Sequence, residues 1–179
     1  MKLPHSFNVT TALYILDTSS VINLVLSGYA VEIISALPGQ FAIPECIHLI
    51  ILKEVALKSR YESIIRPLSE SNKLNVIPLA DNEEDIFLSL ITGSNLESLS
   101  DDEASAIAIA AIAQGMLIAS DLKVRTVCSK RHPDIQLVDF IDMLHYVHDS
   151  KLIGKNEFLT MIENLQVFTN ISRLVFAEN

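Results

Sequence analysis

The stretch Ala12-Leu13-Tyr14-Ile15-Leu16-Asp17-Thr18-Ser19-Ser20-Val21-Ile22-Asn23-Leu24-Val25-Leu26 decides the fold. It opens with a short apolar run, which predicts a central strand ending at Asp17. Thr18-Ser19-Ser20 then supplies a polar cap, and the apolar residues from Val21 predict a helix stopped at Gly28. Strand, acid, cap and helix in immediate succession are the start of a strand–helix–strand unit.

The same alternation continues outward. Tyr29 to Leu37 has helical spacing and ends at Pro38-Gly39, and Phe41-Ala42-Ile43-Pro44 predicts a second strand. A long helix is expected from Cys46 to Arg60, a short strand from Leu74 to Leu79, a helix from Asp81 to Leu90, and a loop from Gly93 to Ser98. Ser100-Asp101-Asp102-Glu103 opens the next helix, which runs to Gln114 and stops at Gly115. Met116 to Ala119 predicts a buried strand ending at Ser120-Asp121. A helix from Leu122 to Arg131, a last strand from Ile135 to Val138, and helices at 141–148 and 155–165 complete the chain. Alternating strands and helices predict a parallel sheet with helices on both faces, an α/β fold. One domain is expected over residues 1–179, with 1–10 as an N-terminal tail and 141–179 as C-terminal helices; 179 residues suffice for one buried core.

Composition narrows the function classes. Half of the residues are hydrophobic and only 6% aromatic, with no Trp, so disorder is excluded and the core is aliphatic. A net charge of -9 repels phosphate backbones at long range and argues against a non-specific nucleic-acid binder. Acids gathered around a divalent cation would be consistent with it. Cys46 and Cys128 sit in apolar runs and read as buried thiols. The uncharged run from Ala104 to Ser120 is shorter than a membrane span needs and contains Gln114 and Gly115. With no secretory signal in view, a cytoplasmic protein with no membrane partner is expected.

In an open parallel sheet, ligands bind where strands end and helices begin, so the acids at those junctions carry the functional information. Each has an ordinary explanation when taken alone. Asp17 and Asp121 suit helix N-caps. Ser100 and Glu103 form a Ser-x-x-Glu capping box, and Asp101 and Asp102 suit the positive end of the helix dipole. Glu54, beside Lys53, suits a solvated helix face. Together, however, they place acids at two strand ends and at the start of an Ala/Ile helix slim enough to lie close against a sheet. Carboxylates sharing a cleft repel one another, and a hard divalent cation such as Mg²⁺ or Mn²⁺ relieves that repulsion. Nothing resembles a zinc site: HExxH and Cys-x-x-Cys are absent.

Four pieces in this order resemble the PIN-domain family, the VapC-like toxin ribonucleases. Leu16-Asp17-Thr18-Ser19-Ser20-Val21-Ile22 is similar to the family's opening strand and Asp-Thr/Ser-Ser turn. Glu103-Ala104-Ser105-Ala106-Ile107-Ala108-Ile109-Ala110 is similar to the Glu-Ala-x-Ala-Ile-Ala-x-Ala helix of one subgroup. Leu117-Ile118-Ala119-Ser120-Asp121-Leu122-Lys123-Val124-Arg125 is similar to its strand, Asp and Lys-x-Arg helix. Ile43-Pro44 with Glu54 is similar to the second strand and its acid-bearing helix, although Glu54 lies farther beyond Pro44 than in the family. The subgroup often has Gly where this chain has Asp102, and Asp where it has Ser120. The resemblance runs from residue 12 to residue 140.

The resemblance implies a PIN-like three-layer α/β/α fold with a mainly parallel sheet of four to five strands. It implies a metal-dependent endoribonuclease in which a metal-activated water hydrolyses the phosphodiester. Asp17, Glu103 and Asp121 would be catalytic and, with Glu54, would hold Mg²⁺ or Mn²⁺, while Thr18 and Ser19 would orient them. Lys123, Arg125, Lys130, Arg131 and His132 form a local basic patch after Asp121, in which Lys123 and Arg125 are expected to meet an RNA phosphate. A toxin–antitoxin pairing and a homodimer are expected as well. The alternatives are a PIN-fold binding or regulatory module with a degraded site, and another α/β phosphoryl-transfer domain. The last fits poorly, because Asp17-Thr18-Ser19 lacks the Asp-x-Asp of haloacid-type phosphatases.

Overall fold

A computed structural model describes residues 13–92 and 98–177, with side chains described as far as residue 166. The expected N-terminal tail and most of the expected 93–98 loop lie outside the described residues. Five strands form one sheet: β1 (Leu13–Leu16), β2 (Gln40–Pro44), β3 (Leu74–Ile77), β4 (Met116–Ile118) and β5 (Gln136–Val138). All neighbours pair in parallel in the order β3-β2-β1-β4-β5. The architecture is the expected α/β/α sandwich.

β1 is the middle strand because it can be. Tyr14, Ile15 and Leu16 are fully buried, so both faces need a covering layer. On one side α6 (Asp101–Ala113) lies across β1, β2 and β4, with α3 (Glu45–Lys53) and α5 (Glu84–Ile91) beside it. Its residues from Ala104 to Ala110 are all buried, and the small side chains permit close approach to the sheet. On the other side α1 (Thr18–Ser27) packs on β1, with α2 (Ala30–Ala36), α4 (Val55–Glu70) and α9 (Lys155–Ala177) around it. The helix α8 (Phe140–Asp149) reaches α2 and α9. After β4, α7 (Leu122–Arg131) leads to β5.

Several expectations about local structure are corrected. The long helix from Cys46 to Arg60 is two helices, and Glu54 is the hinge between them with extended backbone (φ -78°, ψ 97°). Its amide still bonds to Ile51 O at 3.1 Å, and Leu57 and Lys58 donate back to its carbonyl, so backbone bonding survives the break. Periodicity continues through such a hinge, which is why the pattern hides it. Secondly, Gln114 rather than Gly115 takes the left-handed conformation that ends α6 (φ 50°). Gly115 serves close approach instead: a Cβ there would lie 2.4 Å from Ile15 Cδ1 and 3.0 Å from Leu13 O. The last helix also runs on beyond residue 165, to Ala177. Cys128 is buried as expected, its thiol pushed up to about 11 by burial, whereas Cys46 is only half-buried.

Among the described residues no single helix is long and apolar enough to cross a membrane. The uncharged 104–120 run is the buried helix α6 followed by β4.

Candidate functional site

Chain connections leave β1 in one direction toward β2 and β3, and later return on its other side to β4 and β5. The switch point of the sheet therefore lies between β1 and β4, and the crevice beyond their carboxyl ends is where an open parallel sheet binds ligands. Asp17 follows β1 and Asp121 follows β4. Register pairs Leu16 with Ile118, and Asp17 N continues the ladder by donating to Ile118 O at 3.1 Å.

Asp17 is 2% exposed. Its carboxylate caps α1 by accepting from Ser20 N at 2.7 Å, and the Ser19 hydroxyl lies 2.9 Å from both of its oxygens. Ser20 turns its own hydroxyl to Ile118 O at 2.8 Å, and Ser120 N donates to Ser19 Oγ at 3.4 Å. The Asp-Thr-Ser-Ser turn thus bolts the ends of β1 and β4 together. Burial holds the Asp17 carboxyl above its ordinary range, and the negative charge of Asp121 adds to this. Hydrogen bonds from Ser20 and Ser19 pull in the opposite direction. A buried carboxylate that senses a second acid is a group for which a cation would be a favourable partner.

Asp121 is exposed and caps α7, its Oδ1 accepting from Lys123 N at 2.7 Å and Val124 N at 3.1 Å. Glu103 is directed differently. Its carboxylate accepts from Ser100 N at 3.0 Å and completes the capping box. It is Asp102 that reaches the β1 turn, where the Thr18 hydroxyl donates to its Oδ2. Of the two hydroxyls expected to orient the acids, Ser19 serves Asp17 and Thr18 serves Asp102. Glu54 is exposed at the α3–α4 hinge.

Lys123 is exposed in the first turn of α7. Arg125 is turned inward: its Nη1 donates to Ala119 O at 3.0 Å and lies 3.7 Å from Asp139 Oδ2. It braces the β4 and β5 ends. Asp139 repeats the pattern of Asp17 and Asp121, following β5 and capping α8 through Ile141 N at 2.8 Å. The sequence signal was there, since Asp139 closes the apolar run Ile135–Val138 as Asp121 follows Met116–Ala119.

A hard divalent cation can be tested against these donors. Among the described residues no group of three or more His, Cys, Asp or Glu could hold a metal ion. Asp17 has the Ser19 hydroxyl 2.9 Å from both of its oxygens, and the charge of Asp121 is the least of the influences on its carboxyl. Mg²⁺ characteristically takes one or two protein carboxylates and completes its shell with water and substrate phosphate. The described acids form no all-protein cage, and an ion here would need water and substrate oxygens to complete its shell.

No protein-family model matches the sequence, and no curated protein matches it. A chain in the crystal structure of VapBC2 from Rickettsia felis, bound to a DNA fragment from their promoter, is similar in fold. The TM-score is 0.51 at 19% identity, over 71% of this chain and 98% of that one. At that identity the likeness shows the fold alone, a three-layer α/β/α arrangement.

Proposed function

We propose that the protein is a Mg²⁺- or Mn²⁺-dependent endoribonuclease and the toxin of a toxin–antitoxin pair. The observation that carries this is the buried carboxylate of Asp17 at the β1/β4 switch point of the sheet, with Asp121 following the neighbouring strand β4. Asp17 and Asp121 would hold the cation, with the first turn of α6, bearing Asp102 and Glu103, alongside. A divalent cation in this place supplies charge stabilisation for an attacked phosphodiester and lowers the pKa of water. Ser19 fixes the Asp17 carboxylate, so the donor is oriented before substrate arrives. Lys123 stands next to Asp121 with its ammonium in solvent, suited to a phosphate of single-stranded RNA. Such a local cation offsets the repulsion expected from the overall charge of -9. An antitoxin partner follows from likeness to a chain of the VapBC2 assembly; a homodimer is proposed on the family resemblance alone.

The test is cleavage of single-stranded RNA with Mn²⁺ by the wild type and by Asp17→Asn. Cleavage only by the wild type is expected, and equal rates would end the assignment.

A second reading, a PIN-fold binding or regulatory module, is favoured by the capping role of Glu103 and the exposed position of Glu54. Calorimetric titration separates the two: saturable Mn²⁺ binding supports the nuclease, and its absence the module.

A further inference from the structure

We propose that the cavity between the carboxyl-terminal ends of α6 and α7 binds a small zwitterion, of amino-acid or dipeptide size. Its carboxylate is held by Arg131 and its ammonium by Asp134. The site is independent of the nuclease reading and lies at the opposite edge of the sheet.

Asp17 and Asp121 follow the carboxyl ends of β1 and β4. The cavity instead adjoins the amino ends of β4 and β5, where Met116 pairs with Gln136. Its volume is about 480 Å³, within the range of small-molecule sites, ~300–1,000 Å³. Ala110 and Ala111 line it from α6, and their short side chains leave room. Arg131, His132 and Asp134 line it from the end of α7 and the loop beyond.

The charges on this wall select the ligand. Among the described residues neither Arg131 nor Asp134 takes part in an ion pair. Arg131 Nη1 and Nη2 donate to Ser89 O at 2.9 Å and Ser89 Oγ at 3.2 Å. Those acceptors carry no charge, and a guanidinium has further N–H donors to offer. Both α6 and α7 also end here, at Ala113 and Arg131. Carbonyls in the last turn of a helix lack intrahelical partners and form its negative pole, which favours a cation. An anion alone would face those poles and Asp134, and a cation alone would face Arg131. A molecule carrying both charges suits the whole wall.

His132 adds a polar group that no neighbour uses. Its Nε2 is buried and has no hydrogen-bond partner among the described residues, and such an atom calls for an explanation. Burial, and then the charge of Arg131, hold its pKa below the ordinary value. Near neutral pH the ring is therefore uncharged and does not compete with the ligand's ammonium for Asp134.

NMR titration of the isotope-labelled full chain with L-glutamine, L-leucine and glycyl-leucine tests this. Saturable binding of at least one is expected, with shifts at the amides of Gly115, His132 and Gln136. The N-acetylated and the C-amidated form of that ligand each lack one charge. Each should bind at least about 10-fold more weakly, the scale of one charged hydrogen bond. Arg131→Gln and Asp134→Asn should each weaken binding as much. Arg131→Gln also cuts the link to Ser89, so Asp134→Asn, at an exposed position, carries the test if the other variant melts low. Ala111→Phe should fill the cavity and abolish binding, whereas Asp17→Asn should bind as the wild type does. Binding of none of the probes overturns the proposal. So do equal affinities for the capped forms, or shifts gathered around Asp17 and Asp121. Absence of RNA cleavage leaves this result untouched, so the two readings fail separately.

Discussion

The β1–α1 and β4–α7 junctions are built alike and behave differently. Each is a buried strand, an Asp and a helix that the Asp caps. Asp17 is 2% exposed and accepts bonds from Ser19 and Ser20, whereas Asp121 is exposed and spends one oxygen on two amides of α7. Capping accounts for the two bonds that Asp121 Oδ1 accepts. It does not explain burying Asp17, which raises its carboxyl pKa and costs stability when it ionises. Such a penalty at a sheet switch point is one that the proposed cation would relieve.

The difference can be broken most forcefully at Asp17. Asp17→Asn should lower RNA cleavage by about 100-fold or more, at or beyond the upper end for loss of metal-site support. The same variant should be the more stable protein. Asn caps a helix as well as Asp does, and its amide removes a buried charge. The sign follows from linkage: a folded-state pKa raised above 3.8 gives stability that is full below that value and is lost as pH rises through the raised pKa. Melting of Asp17→Asn at neutral pH should therefore rise, by about 0.5–2 kcal/mol in stability. As pH rises above 3.8 the wild type should lose stability that the variant retains. A variant that melts lower at every pH would show that the Asp17 charge is not a burden.

Next in size is the seam between the two strands. Gly115→Ala puts a Cβ against Ile15 and Leu13 O, and overpacking of this kind costs about 1–3 kcal/mol. Chemical denaturation measures it. An unchanged midpoint would mean that β4 can move away from β1, and the switch point would lose its fixed geometry.

Asp121→Ala should cost about 1 kcal/mol through the lost cap, while Asp121→Asn should be nearly neutral in stability and still lose Mn²⁺ affinity. That contrast separates the capping role of Asp121 from its proposed part in the site. If both variants bind Mn²⁺ like the wild type, Asp121 is a cap and nothing else.

The smallest effect is expected at Arg125. Its ion pair with Asp139 is partly exposed, so Arg125→Gln should lower stability by no more than about 1 kcal/mol. Because the guanidinium is engaged with Ala119 O and Asp139, RNA affinity should fall less than in Lys123→Gln. Gel-shift titration of a single-stranded oligonucleotide compares the two, and a larger loss in Arg125→Gln would restore that residue as the main phosphate contact.

Much of this was legible without coordinates. Apolar runs ending at Asp17 and Asp121, the cap residues and the Ala/Ile helix prescribe local structure through periodicity and capping, which act over a few residues. The hinge at Glu54 escaped because an amphipathic pattern continues through a break whose cause lies in the packing of α3 and α4 on different neighbours. Arg125 looked like a substrate contact because a one-dimensional pattern shows a charge and not the carbonyl it is bent toward.

By itself the sequence determined the order of strands and helices, the aliphatic core and the acids at the junctions, since each depends on neighbours within a turn or two. Only the tertiary structure decided that β4 lies against β1, so that Asp17 and Asp121 follow neighbouring strands. Only it decided that Asp102 rather than Glu103 faces the β1 turn. Strand order is fixed by long-range packing, and one residue along a helix is about 100° of rotation, a difference that pattern alone does not register.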